Sequence, residues 1–174
     1  MQTAPSSKRA FSLIELTAVI LILAIVAAAV ALRVQTPMRH ARLGDATGAI
    51  GQFDRMTRRA AREQDRPLRM VVALPAWRLS RTDERGRATS PPMVLPSGTI
   101  IEQLLVRDQS AASAEVAISC SRLGLTPTYA MLVSSGGERR WIVVAGLTGE
   151  VVEVKSEQEV HEIIEATAAR HNAR

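Results

Sequence analysis

A single cysteine in 174 residues, Cys120, excludes an intramolecular disulfide. A buried free thiol is the expected state of that residue. Aromatic residues make up only 3% of the chain, and Trp77, Trp141 and Tyr129 are its large polar-tipped side chains, so platforms for stacking bases are poorly supplied. Packing in a core or an interface is the expected use of both tryptophans. The three histidines, His40, His161 and His171, are scattered, and no Cys/His cluster has metal-ligand spacing. His161-Glu162-Ile163-Ile164-Glu165 lacks the second imidazole a zinc-protease helix needs, and reads as a solvated helix face. No serine sits in a G-x-S-x-G elbow, and no glycine-rich phosphate or dinucleotide loop is present. The acids Asp83-Glu84 and Asp108 stand apart and offer no calcium loop. Catalytic, cofactor-binding and metal residues are therefore all expected to be none, and the chain reads as a non-enzyme.

Lysine is also scarce: Lys8 and Lys155 are the only two, and arginine supplies the remaining positive charge of a chain with net charge +5. The charge is unevenly placed. Between Arg33 and Arg87 there are 13 arginines against six acids, whereas Glu150 to Glu165 holds six glutamates against Lys155. Such asymmetry points to complementary packing between subunits or to solvated faces rather than to a nucleic-acid site.

What the chain has in excess is one apolar block. After the polar start MQTAPSSKRA comes FSLIELTAVILILAIVAAAVALRV, and from Leu16 to Leu32 the only polar residue is Thr17. From Phe11 to Leu32 such a helix is about 33 Å long, enough to span a hydrocarbon core. The preceding Lys8-Arg9 pair should stay cytoplasmic, with the C-terminal bulk across the membrane. A secretory signal peptide cut near Ala27 to Ala31 and a plain signal anchor both fit this hydropathy. Neither calls for Glu15, a carboxylate inside the apolar stretch that costs a few kcal/mol there without a partner or a role.

Lys8-Arg9-Ala10-Phe11-Ser12-Leu13-Ile14-Glu15-Leu16 resembles the processing site of type IV pilins and type II secretion pseudopilins. The resemblance implies cleavage after Ala10, where the family usually has glycine, by a prepilin peptidase. It implies N-methylation of Phe11 and an assembly role for Glu15. A cut before Phe11 would create an ammonium of pKa about 8 that Glu15 of a neighbouring subunit could neutralise.

Beyond the membrane the helix should continue to about Gln64, with Leu43, Ala46, Ile50, Phe53, Met56 or Thr57, Ala60, Ala61 and Gln64 on one stripe and Arg55, Arg58, Arg59, Arg62 and Arg66 mostly elsewhere. Pro37 should kink or interrupt it, Gly44, Gly48 and Gly51 weaken it, and Pro67 follows its end. Strands are expected at 68–74, 99–106, 115–119, 129–133, 141–145 and 150–154, with 81–97 a loop and Ser134-Ser135-Gly136-Gly137 a hairpin turn. The absence of helical patterns between them favours an antiparallel sheet. Ser156 with Glu159 fits a capping box opening a last helix with an apolar stripe of Val160, Ile163, Ile164 and Ala168, expected to pack on its own domain.

The fold class is thus α+β: a long N-terminal helix on a small antiparallel β-sheet domain, with a short C-terminal helix. The segments are a leader (1–10), a transmembrane and assembly helix (11–33), its amphipathic continuation (34–66), the β-sheet domain (67–155) and the C-terminal helix with its tail (156–174). DRMTRRAAREQDRP running into LRMVVAL, and the later Leu123-Gly124-Leu125-Thr126-Pro127 and Gly146-Leu147-Thr148-Gly149-Glu150-Val151, are similar to the minor pseudopilin H and fimbrial T group. The helix after Lys155 lies outside that similarity. The resemblance implies a minor subunit in or at the tip of a periplasmic pseudopilus, a single-pass inner-membrane protein before assembly. Its implied partners are other pseudopilin or pilin subunits, the prepilin peptidase and the inner-membrane assembly platform. A minor type IV pilin that binds DNA for uptake is the alternative.

Overall fold

In the computed structural model of the chain, residues 13–106, 109–112 and 114–172 are described, with side chains for all of these except 31–39, 109 and 168–172. The fold is α+β. The chain divides into two units, Met1–Met38 and Arg39–Arg174.

Helix α1 runs Leu13–Glu63. Of the kink or interruption expected at Pro37, the interruption does not occur: the helical backbone continues through that position. One missing donor removes a single bond, and the turns on either side remain closed. The helix stops where Asp65 adopts a left-handed conformation, φ 44°. Asp65 N–H then donates to Arg62 O and Arg66 N–H to Ala61 O, both at 3.2 Å, which satisfies two carbonyls of the last turn. Pro67 cannot continue the helix, and the chain leaves as a strand.

The strands are β1 (Leu68–Ala73), β2 (Arg78–Thr82), β3 (Met93–Val94), β4 (Thr99–Val106), β5 (Gln109–Ala111), β6 (Glu115–Cys120), β7 (Tyr129–Ser135), β8 (Glu138–Val144) and β9 (Val151–Val154). They form two antiparallel sheets, ordered β3-β2-β1-β6 and β5-β4-β7-β8-β9. The β7–β8 hairpin turns at Gly136 and Gly137, both at positive φ (58° and 89°), as a two-residue turn matched to strand twist requires. A β-bridge between Ala76 and Ile101 links the two sheets.

The loop expected at 81–97 is corrected at its start, where β2 reaches Thr82, and in its interior, where β3 lies. Arg78-Leu79-Ser80-Arg81-Thr82 has one core-facing apolar residue, Leu79, so alternation is invisible there. Pairing with β1 makes it a strand.

The main core joins Leu43, Ala46, Ile50 and Phe53 of α1 to Met70, Val72 and Leu79 of the first sheet and to Tyr129, Met131, Ile142 and Val144 of the second. Thr57, not Met56, occupies the shared stripe: Thr57 is buried and its hydroxyl donates to Phe53 O at 2.8 Å, while Met56 is half exposed. Gln64 is exposed rather than part of the stripe, since the helix has already ended. Helix α2 (Glu157–Asn172) opens at Ser156, whose Oγ accepts from Glu159 N–H at 3.3 Å. It packs on its own domain, burying Val160 and Ile164 against Ala130, Trp141, Val143 and Val154.

Candidate functional site

Two features of the described residues lie outside ordinary core packing: an apolar helical stretch left exposed, and a buried charge pair that clasps two loops. The stretch Leu13–Val30 has a mean hydropathy of 2.8, and none of it is buried within the chain. Leu13, Ile14, Ile20, Leu21, Leu23 and Ile25 all stand exposed. An apolar surface of this size needs lipid or neighbouring helices to cover it. Thr17 adds little polar cost, because its hydroxyl donates back to Ile14 O at 2.9 Å. Glu15 is exposed in the first turn of α1, where the helix dipole favours a carboxylate. Ala10 and Phe11 lie outside the described residues, and so does Ser12, the expected start of the helix.

The second feature corrects the reading of the arginines. Arg58 is buried, not solvated. Its Nε donates to Asp54 Oδ2 at 2.5 Å, and its guanidinium reaches Gly146 O at 2.7 Å, Thr126 Oγ1 at 2.5 Å and Ala145 O at 3.2 Å. Asp54 Oδ1 in turn accepts from the Tyr129 hydroxyl at 3.0 Å. Loops 121–128 and 145–150 are thereby tied to α1 through one side chain. Burial pushes the Tyr129 phenol well up from its ordinary range, and the Asp54 charge and hydrogen bond push the same way. Cys120 is buried and free, as expected, and burial raises its thiol as well, with the Arg58 charge opposing. The signal for the pair was present: Asp54 and Arg58 stand at i and i+4, four residues beyond Ile50 and three before Ala61, on the apolar face itself.

Trp141 is buried, whereas Trp77 is half exposed with the Arg78 guanidinium 5.3 Å from its ring centre. His161 is exposed on α2, consistent with a solvated face, and its Nδ1 lies 2.8 Å from Glu157 O. His40 Nδ1 lies 3.2 Å from Glu138 Oε2, and Arg140 pairs with Glu153 at 2.6 Å; both contacts face water and contribute little to stability. Among the described residues no group of three or more His, Cys, Asp or Glu side chains is placed to hold a metal ion.

Residues 5–31 match the family model described as a prokaryotic N-terminal methylation motif. The match spans Ala10, Phe11 and Glu15 and ends within the apolar helix. No curated protein and no solved structure matches the chain. The motif together with the apolar helix supports a type IV pilin-like, membrane-anchored protein. It implies processing by a prepilin peptidase and assembly with other pilin subunits.

Proposed function

We propose that the chain is a minor pseudopilin of a type II protein secretion system, assembled into or at the tip of a periplasmic pseudopilus, and that it acts as a structural subunit rather than an enzyme. The observation that carries this reading is Glu15: a carboxylate in the first turn of an apolar helix left exposed among the described residues, inside a prepilin-type motif. Cleavage between Ala10 and Phe11 by the peptidase frees an ammonium, which is then N-methylated. As subunits leave the bilayer, Glu15 of one meets the Phe11 ammonium of the next, and two charges that are costly alone become tolerable together. Burial of the apolar helices against each other supplies the bulk of the affinity.

The test has two parts. Mass spectrometry of the mature protein should find its N-terminus at methylated Phe11. Glu15→Ala should insert and be cleaved normally yet fail to enter filaments or support secretion; normal assembly and secretion by that variant would sink the reading. The exposed residues Arg55, Arg59, Arg62 and Arg66 favour a second reading, a minor type IV pilin that binds DNA for uptake. Steeply salt-dependent DNA binding by the full chain would support it, and no binding at low salt would eliminate it.

A further inference from the structure

We infer that α2 is a docking helix: its carboxylate face receives the arginine face of α1 from a second copy of this chain, head to tail. The inference rests on the pilin-like reading, which supplies neighbouring subunits, and takes this chain to lie within the filament beside a second copy rather than singly at its tip.

The five-stranded sheet separates the two helices. Along β7 and β8, Tyr129, Met131, Ile142 and Val144 face the core that α1 fills, while the alternate residues Ala130, Trp141 and Val143 face α2. The two helices therefore cover opposite faces of one sheet, and each keeps its charged side outward. On α2, Glu157, Glu159, Glu162 and Glu165 are all exposed, and no ion pair engages any of them among the described residues. Glu159, Glu162 and Glu165 follow one another at i, i+3 spacing, where like charges repel. Gln158 Nε2 donates to Glu162 Oε1 at 3.4 Å, and the helix N-terminus favours Glu157 and Glu159. Among the described residues, however, no cation of the domain pairs with this carboxylate face.

The complementary surface is on the other side of the same domain. Arg55, Arg59 and Arg62 are exposed on one face of α1, and Glu63 is the only carboxylate paired with any of the three among the described residues. Arg55 and Arg62 are about 10 Å apart along the helix axis and Glu159 and Glu165 about 9 Å, so the two rows match in length. Because the faces are opposite, docking one on the other leaves both outer faces free to repeat the contact. Such a heterologous interface propagates instead of closing, which is filament geometry. Exposed ion pairs are individually weak, so this contact sets orientation and register while apolar helix packing supplies affinity. A polyanion would meet the arginines equally well but would leave the carboxylates of α2, on the opposite face, without a partner; a second copy satisfies both faces.

The experiment uses the full chain in membranes together with its peptidase and assembly machinery. Two differently tagged populations are co-expressed, one with Arg59→Cys and the other with Glu162→Cys, and oxidised. A mixed disulfide between the two tags is expected. Glu159→Arg with Glu165→Arg in the Glu162→Cys copy should lower its yield about tenfold. Arg55→Glu with Arg62→Glu in the opposite copy should restore it, which separates lost docking from misfolding. Absence of the mixed product, a yield indifferent to these reversals, a nuclease-sensitive yield, or cross-linking to a different protein in place of the tagged copy would each overturn the inference. The mature N-terminus and sedimenting filaments are scored in the same cells. Cleavage and filaments without the cross-link overturn docking alone; loss of cleavage overturns the pilin reading and the docking with it.

Discussion

Arg58 donates to Asp54 across 2.5 Å with the two side chains only 5% and 1% exposed, so the charge pair is part of the interior of the domain. The geometry is favourable because the remaining donors of the guanidinium find loop oxygens and the second carboxylate oxygen accepts from Tyr129. Truncating either partner strands a buried charge. Arg58→Met is expected to cost about 3–5 kcal/mol, read as a lowered denaturation midpoint of the detergent-solubilised chain. Pairing it with Asp54→Leu should recover part of that loss, since no charge is then left alone. A Arg58→Met cost no larger than that of a surface substitution would show the clasp to be dispensable.

Alkaline unfolding should report on Tyr129, the chain's single tyrosine. Its phenol is held well above its ordinary range by burial first and the Asp54 charge second. The unfolded chain releases that proton near pH 10, while the folded chain retains it. The folded state then binds more protons than the unfolded one, so stability from this group is complete below about pH 10 and declines above it, by about 1.4 kcal/mol per pH unit. Tyr129→Phe should remove that slope. Comparison is cleanest in a Cys120→Ala background, because the buried thiol adds its own decline from about pH 8.5.

Two glycines should respond in opposite directions to alanine. A Cβ on Gly146 would meet the backbone of the 126–128 loop, 2.6 Å from Thr128 N and 2.7 Å from Pro127 C, and closer still to Thr126 O. Backbone cannot rotate aside as a side chain does, so Gly146→Ala should destabilise by about 1–3 kcal/mol. Gly48 is exposed in α1 and a Cβ there meets nothing within 4 Å. Gly48→Ala should stabilise by up to about 1 kcal/mol, through helix propensity alone. Thermal melts of the two variants side by side check both signs.

Cys120 should resist alkylation in the folded protein, since it is buried and its thiol is raised by that burial. Reaction should become fast only in denaturant, and Arg58→Met should accelerate it under native conditions if the clasp holds this end of the domain shut. Mass-resolved alkylation time courses measure this directly.

Much of the scaffold was legible along the chain. The limits of α1 followed from apolar continuity, then from the 43–61 stripe and Pro67. The β7–β8 hairpin followed from Ser134-Ser135-Gly136-Gly137, although the turn takes only the two glycines, while both serines belong to β7 and β8 begins at Glu138 rather than Trp141. The start of α2 followed from Ser156. Each of these depends on residues within a turn or two of one another. β2 was not legible, because Arg78 to Thr82 is a strand through its partner β1 rather than through its own pattern. Arg58 was misread for a related reason. A charge on an apolar face looks like a boundary of the stripe unless the carbonyls of Gly146 and Ala145, nearly 90 residues away, are known to reach it.

The sequence by itself determined that a long apolar helix carries Glu15 inside a prepilin-type start, and that an antiparallel β domain follows. Hydropathy, turn chemistry and helix caps are local, so they are written in order along the chain. Only the tertiary structure decided that the strands divide into two sheets, that α1 and α2 cover opposite faces of one of them, and that Asp54 and Arg58 turn inward. Those outcomes depend on which distant groups can satisfy a buried charge or complete a ladder, and no local pattern encodes a partner that far away.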